Sequence, residues 1–328
     1  MNEIALFSLV AGRELTARVA SHLGVELGRQ EERHFEDGEH KIRPLQTVRG
    51  RDVYLLQSLC SDSHSSVDAK LVRVLFFLGA LRDAGAARVT AVVPYLCYAR
   101  KDRRTKPRDP LSLRYLAQLF EAVGVDRVVA LDVHNLAAFQ NAFRCATDHL
   151  TLQSLLLDYF AGVFIDAPAG GITVASPDVG GIKRAESFRQ ALGRWLGVDI
   201  SSAFMEKYRS GGRISGSLVV GEVQGRSVII IDDLIAGGTT MVRAADAFLE
   251  QGAQQVYAVA THGVFAAGAA ATLSASSLTR VVISNSLPVS GTVVKALADK
   301  LVVIDLAPLL AEAIDSMHEG GSLVDLSF

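Results

Sequence analysis

Short apolar runs rich in Val and Ile alternate along the chain with stretches of helical period. The strand-like runs are Ile4–Leu9, Asp52–Gln57, Val89–Pro94, Val128–Asp132, Ile172–Ser176, Val228–Asp232, Val256–Thr261, Val281–Ser284 and Leu301–Asp305. Continuous rather than alternating hydrophobicity marks strands buried on both faces, so the pattern predicts α/β architecture with mainly parallel sheets covered by helices on both sides. A weak repeat points to two similar halves. The segment Leu81-Arg-Asp-Ala-Gly85-Ala-Ala-Arg-Val89 is echoed by Phe248-Leu-Glu-Gln-Gly252-Ala-Gln-Gln-Val256, about half the chain away. Each copy ends a helix at a glycine and enters a buried strand. The predicted division is 1–148 and 149–315, with a last helix over Ala307–Met317 and the tail 316–328 returning to the first domain.

Composition narrows the class. Within 328 residues, 33 Lys and Arg balance 35 Asp and Glu, for a formal net charge of −2. That length suits two α/β domains, and that charge gives no expectation of nucleic-acid or membrane partners. Cys60, Cys97 and Cys145 have neither the number nor the spacing of a disulfide framework or zinc site. No basic segment leads a long apolar region at the start, and no stretch is long enough to span a membrane, so a cytoplasmic protein is expected.

Ligands of open parallel sheets gather at strand carboxyl ends, and there this sequence turns polar. The fullest instance is Ser227–Thr240: four apolar residues, the pair Asp232 and Asp233, then Ala236, Gly237, Gly238, Thr239 and Thr240 before a helix. Main-chain N–H groups and hydroxyls of such a loop can surround a phosphate, while the carboxylates suit sugar hydroxyls or a metal. Acidic residues here also serve as plain helix caps. After Val128–Leu131 come Asp132 and His134, a pair that could bind a divalent metal, orient a phosphate or be structural. After Ile172–Ala175 comes Ser176-Pro-Asp178-Val-Gly180-Gly181, either a phosphate or metal loop or a capped turn. After Val89–Val93 comes Tyr98-Ala-Arg100-Lys101-Asp102-Arg103-Arg104-Thr-Lys106-Pro-Arg108, with six basic residues in nine positions, which favours a polyphosphate. Lys207 and Arg209 precede a Gly-rich hairpin that could close over a reacting group or be an ordinary turn. Together these are the parts of phosphoryl transfer, which asks for positioning and charge neutralisation more than covalent chemistry.

In this order the motifs resemble the ribose-phosphate pyrophosphokinase family, also called phosphoribosyl pyrophosphate synthetases. The similarity runs nearly end to end: Phe35-Glu-Asp37-Gly38-Glu39, Val48-Arg-Gly-Arg-Asp-Val53, Gln57-Ser58, Tyr98–Arg103, Asp132-Val-His134, Ser176–Gly181, Lys207 with Arg209, Asp232–Thr240, Thr261-His-Gly263 and Leu309–Ile314. The resemblance implies two phosphoribosyltransferase-type domains, the first contributing to ATP binding and the second to ribose 5-phosphate. It implies attack of the anomeric hydroxyl of ribose 5-phosphate on the β-phosphorus of Mg-ATP, with AMP leaving. Carried over by position, Phe35, Asp37, Gly38, Glu39, Arg100, Lys101 and Arg108 would contact ATP. His134 and Asp178, with Asp132, would hold Mg2+. Lys207 and Arg209 would neutralise the transferring group, and Arg209, Asp232, Asp233 and Ala236–Thr240 would receive ribose 5-phosphate. A homo-oligomer, dimer or hexamer, is expected, with the Phe35–Glu39 segment serving a neighbouring copy.

The chain departs from the family pattern in places. Lys101 replaces a usual glutamine. Ala236-Gly-Gly-Thr-Thr replaces an acidic residue followed by Thr-Gly-Gly-Thr. Leu59–Lys70 lacks an asparagine-rich pattern, and Asn135–Arg144 lacks some glutamine and acidic residues, which bears on control by phosphate and ADP. A phosphoribosyltransferase or a non-catalytic regulatory subunit are the alternative readings.

Overall fold

The computed structural model describes residues 3–165, 171–210 and 213–327, and for strand residues 207–210 and 213–217 it describes the backbone alone. The chain forms two compact units. One comprises residues up to Thr151 together with those from Leu306 onward; the other is Leu152–Asp305.

The first unit runs β1 (Ile4–Phe7), α1 (Arg13–Leu23), β2 (Gln30–His34), β3 (His40–Pro44), β4 (Asp52–Leu56), α2 (Val67–Asp83), β5 (Arg88–Val93), α3 (Ser112–Ala122), β6 (Arg127–Leu131), α4 (Leu136–Ala142) and β7 (Ala146–Leu150). Five strands form a parallel sheet in the order β1-β4-β5-β6-β7. Every residue of β4 is buried: the run Val53–Leu56 as helices covering both faces require, and Asp52 at its start against Arg88. β2 and β3 form a separate antiparallel hairpin. On α2, Leu71, Val74, Leu75, Phe77, Leu78 and Leu81 point into the core with Phe7 and Val53.

The second unit runs α5 (Gln153–Val163), β8 (Ile172–Ser176), α6 (Ile182–Leu196), β9 (Ser201–Ser210), β10 (Arg213–Gly221), β11 (Ser227–Ile235), α7 (Thr239–Glu250), β12 (Gln255–Gly263), α8 (Ala269–Ser274), β13 (Arg280–Ser284), α9 (Gly291–Leu297) and β14 (Leu301–Ile304). Its seven strands lie in the order β10-β9-β8-β11-β12-β13-β14, parallel except for the β9–β10 edge. The chain then returns to the first unit with α10 (Ala307–Glu319) and α11 (Val324–Ser327). α10 packs against α1 and buries Leu309, Leu310, Ala313, Ile314 and Met317.

The repeat is reproduced in hydrogen bonds. Gly85 (φ +87°) and Gly252 (φ +89°) both end a helix in the left-handed region, where a side chain would be strained. Gly50 N–H donates to the Gly85 carbonyl at 2.8 Å, as Gly225 does to Gly252 at 2.8 Å. Ala87 donates to Arg51 and Gln254 to Arg226, each at 2.9 Å. One local device therefore sets the entry of β5 and of β12.

Several expectations need correction. The division expected after Asp148 falls inside β7, where Asp148 pairs with Arg127. β7 is polar and only half-buried, so its run reads as loop. The return to the first unit comes at Leu306, not after residue 315, because the apolar face of α10 needs a partner. The antiparallel β2–β3 pair, with little apolar patterning, was not anticipated as strands. Gly211 and Gly212, at the centre of the expected hairpin, lie outside the described residues, although the flanking strands β9 and β10 pair. Finally, β11 extends to Ile235, so Asp232 and Asp233 lie within a strand bonded to β12 rather than after it.

Candidate active site

In the second unit the polar residues collect where β8 and β11 end. Asp178 caps a short 3₁₀ turn, Val179–Gly181, its Oδ1 accepting from Gly180 N–H at 2.9 Å. Ser176 Oγ donates to the Asp178 carbonyl at 2.6 Å. A Cβ on Gly181 would sit 2.6 Å from that same Oγ, so only glycine lets the turn close over the strand end. On the adjacent strand β11 lie Asp232, half-buried, and Asp233, buried. Arg184, in the first turns of α6, reaches both: its Nη1 is 3.3 Å from Asp232 Oδ1 and 3.9 Å from Asp233 Oδ1. Burial, and next the Asp233 carboxylate, push the Asp232 carboxyl up to about 7, while Arg184 pulls the other way.

The loop that follows is made of main chain. Val264 and Phe265 N–H donate to the Ile235 carbonyl at 3.0 and 3.1 Å, and Ala266 donates to Ala236 at 3.0 Å. Gly238 is the N-cap of α7 at φ +78°, and a Cβ there would meet Leu273 Cγ at 2.8 Å. At Gly237 a Cβ would meet only Thr239 Oγ1, at 4.0 Å. α7 opens without a side-chain cap, and Thr239 and Thr240 are exposed in its first turn. N–H groups without intrahelical acceptors, a helix dipole and two hydroxyls suit a phosphate there. His262, buried on β12, shares a bond with Ser286 Oγ at 2.9 Å, and Ser284 Oγ donates to the Thr261 carbonyl at 2.6 Å, fixing the next strand ends.

In the first unit, Asp132 and His134 follow β6. Asp132 is half-buried at φ +41° and His134 is exposed. Asn135 caps α4, accepting from Ala138 N–H at 3.1 Å, and donates to Asp102 Oδ2 at 2.6 Å. That bond ties the basic loop after β5 to the β6 end. Within the loop Arg100 and Arg108 are exposed, whereas Lys101 Nζ lies 2.6 Å from Asp109 Oδ2. Hydrogen bonds from Lys101, then Thr105 and the Lys106 amide, hold the Asp109 carboxyl well below the usual range. Phe35, Asp37, Gly38 and Glu39 form the exposed tip of the β2–β3 hairpin: Gly38 takes φ +92°, Glu39 N–H donates to Asp37 Oδ1 at 3.0 Å, and Arg33 stacks over Phe35.

The structure thus sets Asp178 after β8 and Asp232 and Asp233 near the end of the adjacent β11, which runs on into the Ala236–Thr240 loop, and ties the basic loop to the segment that follows β6 through Asn135 and Asp102. Lys207 and Arg209 lie on β9, opposite Ser217 and Ile214 of β10; their side chains are outside the described residues. Arg184, Asn135 and Asp109 were missed from sequence. Asp109 had a visible signal, a lone carboxylate after six basic residues; Arg184 and Asn135 had none. Among the described residues no three His, Cys, Asp or Glu side chains cluster as a metal centre, and no helix is long and apolar enough to cross a membrane.

Two α/β units built on mainly parallel sheets, one carrying an acidic pair and a glycine-threonine turn at a helix N-terminus, define the architecture in which the relatives are to be sought. A ribose-phosphate pyrophosphokinase of Caldanaerobacter subterraneus subsp. tengcongensis is 36% identical over 99% of this chain and 98% of its own length. The chain belongs to the ribose-phosphate pyrophosphokinase family. Residues 4–124 match the N-terminal domain of ribose phosphate pyrophosphokinase, and residues 214–327 the phosphoribosyl synthetase-associated domain. A relative from Gloeobacter violaceus is 37% identical over 98% of this chain and 92% of its own. The crystal structure of phosphoribosylpyrophosphate synthetase from Mycobacterium smegmatis is similar at a TM-score of 0.87 and 34% identity, covering 98% of this chain and 100% of that one.

Proposed function

We propose that this chain is a ribose-phosphate diphosphokinase, moving the β,γ-diphosphoryl group of Mg-ATP onto the anomeric hydroxyl of ribose 5-phosphate and releasing AMP. The observation that carries the reading is the gathering of the Asp178 turn, the Arg184-bridged acidic pair and the uncapped start of α7 at neighbouring strand ends, within a chain of this family. The carboxylates of Asp232 and Asp233 accept from ribose hydroxyls, which fixes the sugar. The amides from Ala236 to Thr240, with the two threonine hydroxyls, hold the 5-phosphate.

ATP is assigned to the first domain, through Arg100, Arg108 and the Phe35–Glu39 hairpin. Lys207 and Arg209 neutralise charge on the transferring group. Asp132 and His134 offer a carboxylate and an imidazole at a strand end of the first unit, and Asp178 offers a carboxylate at a strand end of the second; each is a donor open to Mg2+, which takes few protein ligands and completes its shell with phosphate and water. Bound there, Mg2+ would neutralise phosphate charge. Because the tip of the β2–β3 hairpin is exposed, it is available to a neighbouring copy, and we assign the enzyme a dimer-based homo-oligomer working in the cytoplasm.

The test is AMP release from ATP and Mg2+, measured with and without ribose 5-phosphate. Release that depends on the sugar phosphate is expected. A silent purified protein would overturn the reading in favour of a regulatory subunit, which the absence of side-chain ligands at Ala236 and Gly237 would then explain.

A further inference from the structure

Six basic residues in the nine from Arg100 to Arg108 repel one another. The Asp109 carboxylate ties one of these cations, Lys101, to the main chain of the loop. Asp109 Oδ2 accepts from Lys101 Nζ at 2.6 Å, from Thr105 N–H at 3.0 Å and Oγ1 at 2.9 Å, and from Lys106 N–H at 3.0 Å. Its carbonyl accepts from Arg104 Nε at 3.1 Å, and its N–H donates to the Lys106 carbonyl at 3.2 Å. The ring closes against a local penalty, because Arg108 is held at φ +68°, a conformation that disfavours residues with a Cβ. Asp109 is only 21% exposed and Lys101 33%.

We infer that Asp109 is a positioning residue for the nucleotide: it holds the Arg100–Arg108 loop in the shape that presents its guanidinium groups, and Lys101 acts as its counter-ion inside the loop rather than as a phosphate contact. The inference rests on the assignment of this loop to ATP. It also accounts for lysine at a position where the family usually has glutamine. Lys101 and Asp109 cancel each other's charge, so the extra cation adds nothing toward a polyphosphate while adding one bond to the pin.

Charge and architecture pull in opposite directions here, so the sign of the effect decides. Removing a carboxylate beside a polyphosphate tightens binding if only Coulomb attraction counts. It weakens binding if the carboxylate preorganises the loop.

The experiment is calorimetric titration of Mg-ATP into wild type, Asp109→Ala, Asp109→Asn and Lys101→Gln, with the KM for ribose 5-phosphate and nucleotide-free amide exchange measured on each. Asp109→Ala is expected to weaken ATP about fivefold or more, with the ribose 5-phosphate KM within about twofold of wild type. Its Thr105 and Lys106 amides should exchange about tenfold faster. Lys101→Gln leaves the Asp109 carboxylate uncompensated and is expected to weaken ATP only about threefold, a loss that salt screens away. If Lys101→Gln instead weakens ATP about tenfold and the loss persists at high salt, Lys101 touches phosphate and the inference falls. It falls equally if Asp109→Ala binds ATP as tightly as wild type or more so. Should Asp109→Ala not fold, Asp109→Asn decides by the same sign, since it keeps the volume and an acceptor for the two amides. A wild type that binds ATP but releases no AMP overturns the proposed function and leaves this inference standing; one that binds no ATP overturns both.

Discussion

Asp52 is the residue whose removal the structure prices most directly. It opens β4 at 3% exposure, and its carboxylate accepts from Arg88 Nε at 2.7 Å, Tyr54 Oη at 2.8 Å, His318 Nδ1 at 2.9 Å and Arg88 Nη2. An ionised carboxylate only accepts, so the His318 proton sits on Nδ1. Arg88 also donates to the Met317 carbonyl at 3.0 Å. The last turn of α10 is thereby fastened to the β4 and β5 edge residues. Asp52→Ala removes the counter-ion of the Arg88 guanidinium and the acceptor of the buried Tyr54 hydroxyl, leaving them each other and the Met317 carbonyl. Breaking one side of a buried ion pair costs about 3–5 kcal/mol. Arg88 is 34% exposed, and water screens it, so about 2–3 kcal/mol is expected. For a unit of this size that lowers Tm by roughly 5–10 °C. Thermal unfolding at pH 7, with limited proteolysis to follow release of the α10 end, measures it. A variant melting within about 1 °C of wild type would refute the reasoning. The pH dependence adds a second check. Burial works to raise the Asp52 carboxyl, but hydrogen bonds from Arg88, His318 and Tyr54 outweigh it and hold it below the ordinary range. A lowered folded value means the stabilisation is present above the unfolded value of about 3.9 and disappears as pH falls below it. The wild-type advantage should therefore be full at pH 7 and shrink in acid.

The remaining predictions concern the proposed site. Gly238→Ala forces a Cβ at φ +78° against Leu273 and should raise the KM for ribose 5-phosphate at a strain of about 1–3 kcal/mol, whereas Gly237→Thr, which has room, should fold normally and lower that KM; steady-state kinetics on both decides. Ribose 5-phosphate affinity should strengthen as pH rises through about 7, where the acidic pair becomes fully charged, and Asp233→Asn should move that acid limb downward by removing the like charge; an unmoved limb would refute the coupling. Folding stability carries the opposite slope, because a raised carboxyl stabilises most below its unfolded value and loses that contribution as pH climbs toward 7. Lys207→Ala should cut kcat about 10²-fold or more while ATP affinity changes little, since its work is assigned to the transition state; a loss confined to nucleotide binding would contradict it.

The buried strands were legible because a strand covered on both faces leaves an unbroken apolar run that needs no partner to be read. The same holds for the strand-end polar residues: Asp178, Asp232, Asp233, Asp132 and His134 stand where those runs stop. The edge strands were not legible. β2 and β7 are polar and half-buried, and composition separates them poorly from loop. The length of β11 is not legible either, because Asp232 and Asp233 look like an ending, while pairing with β12 carries the strand on to Ile235.

By itself the sequence determined the alternation of strands and helices, the two-fold repeat down to its Gly85 and Gly252 turns, and the turn at Ala236–Thr240 that leads into a helix. Each depends on residues adjacent in the chain, where sterics and period suffice. Only the tertiary structure decided that Arg184 bridges Asp232 and Asp233, that Asn135 holds Asp102, and that Asp52 receives His318 from the far end of the chain. Charges and donors act over a few ångströms of space, and sequence separation does not record which of them folding brings that close.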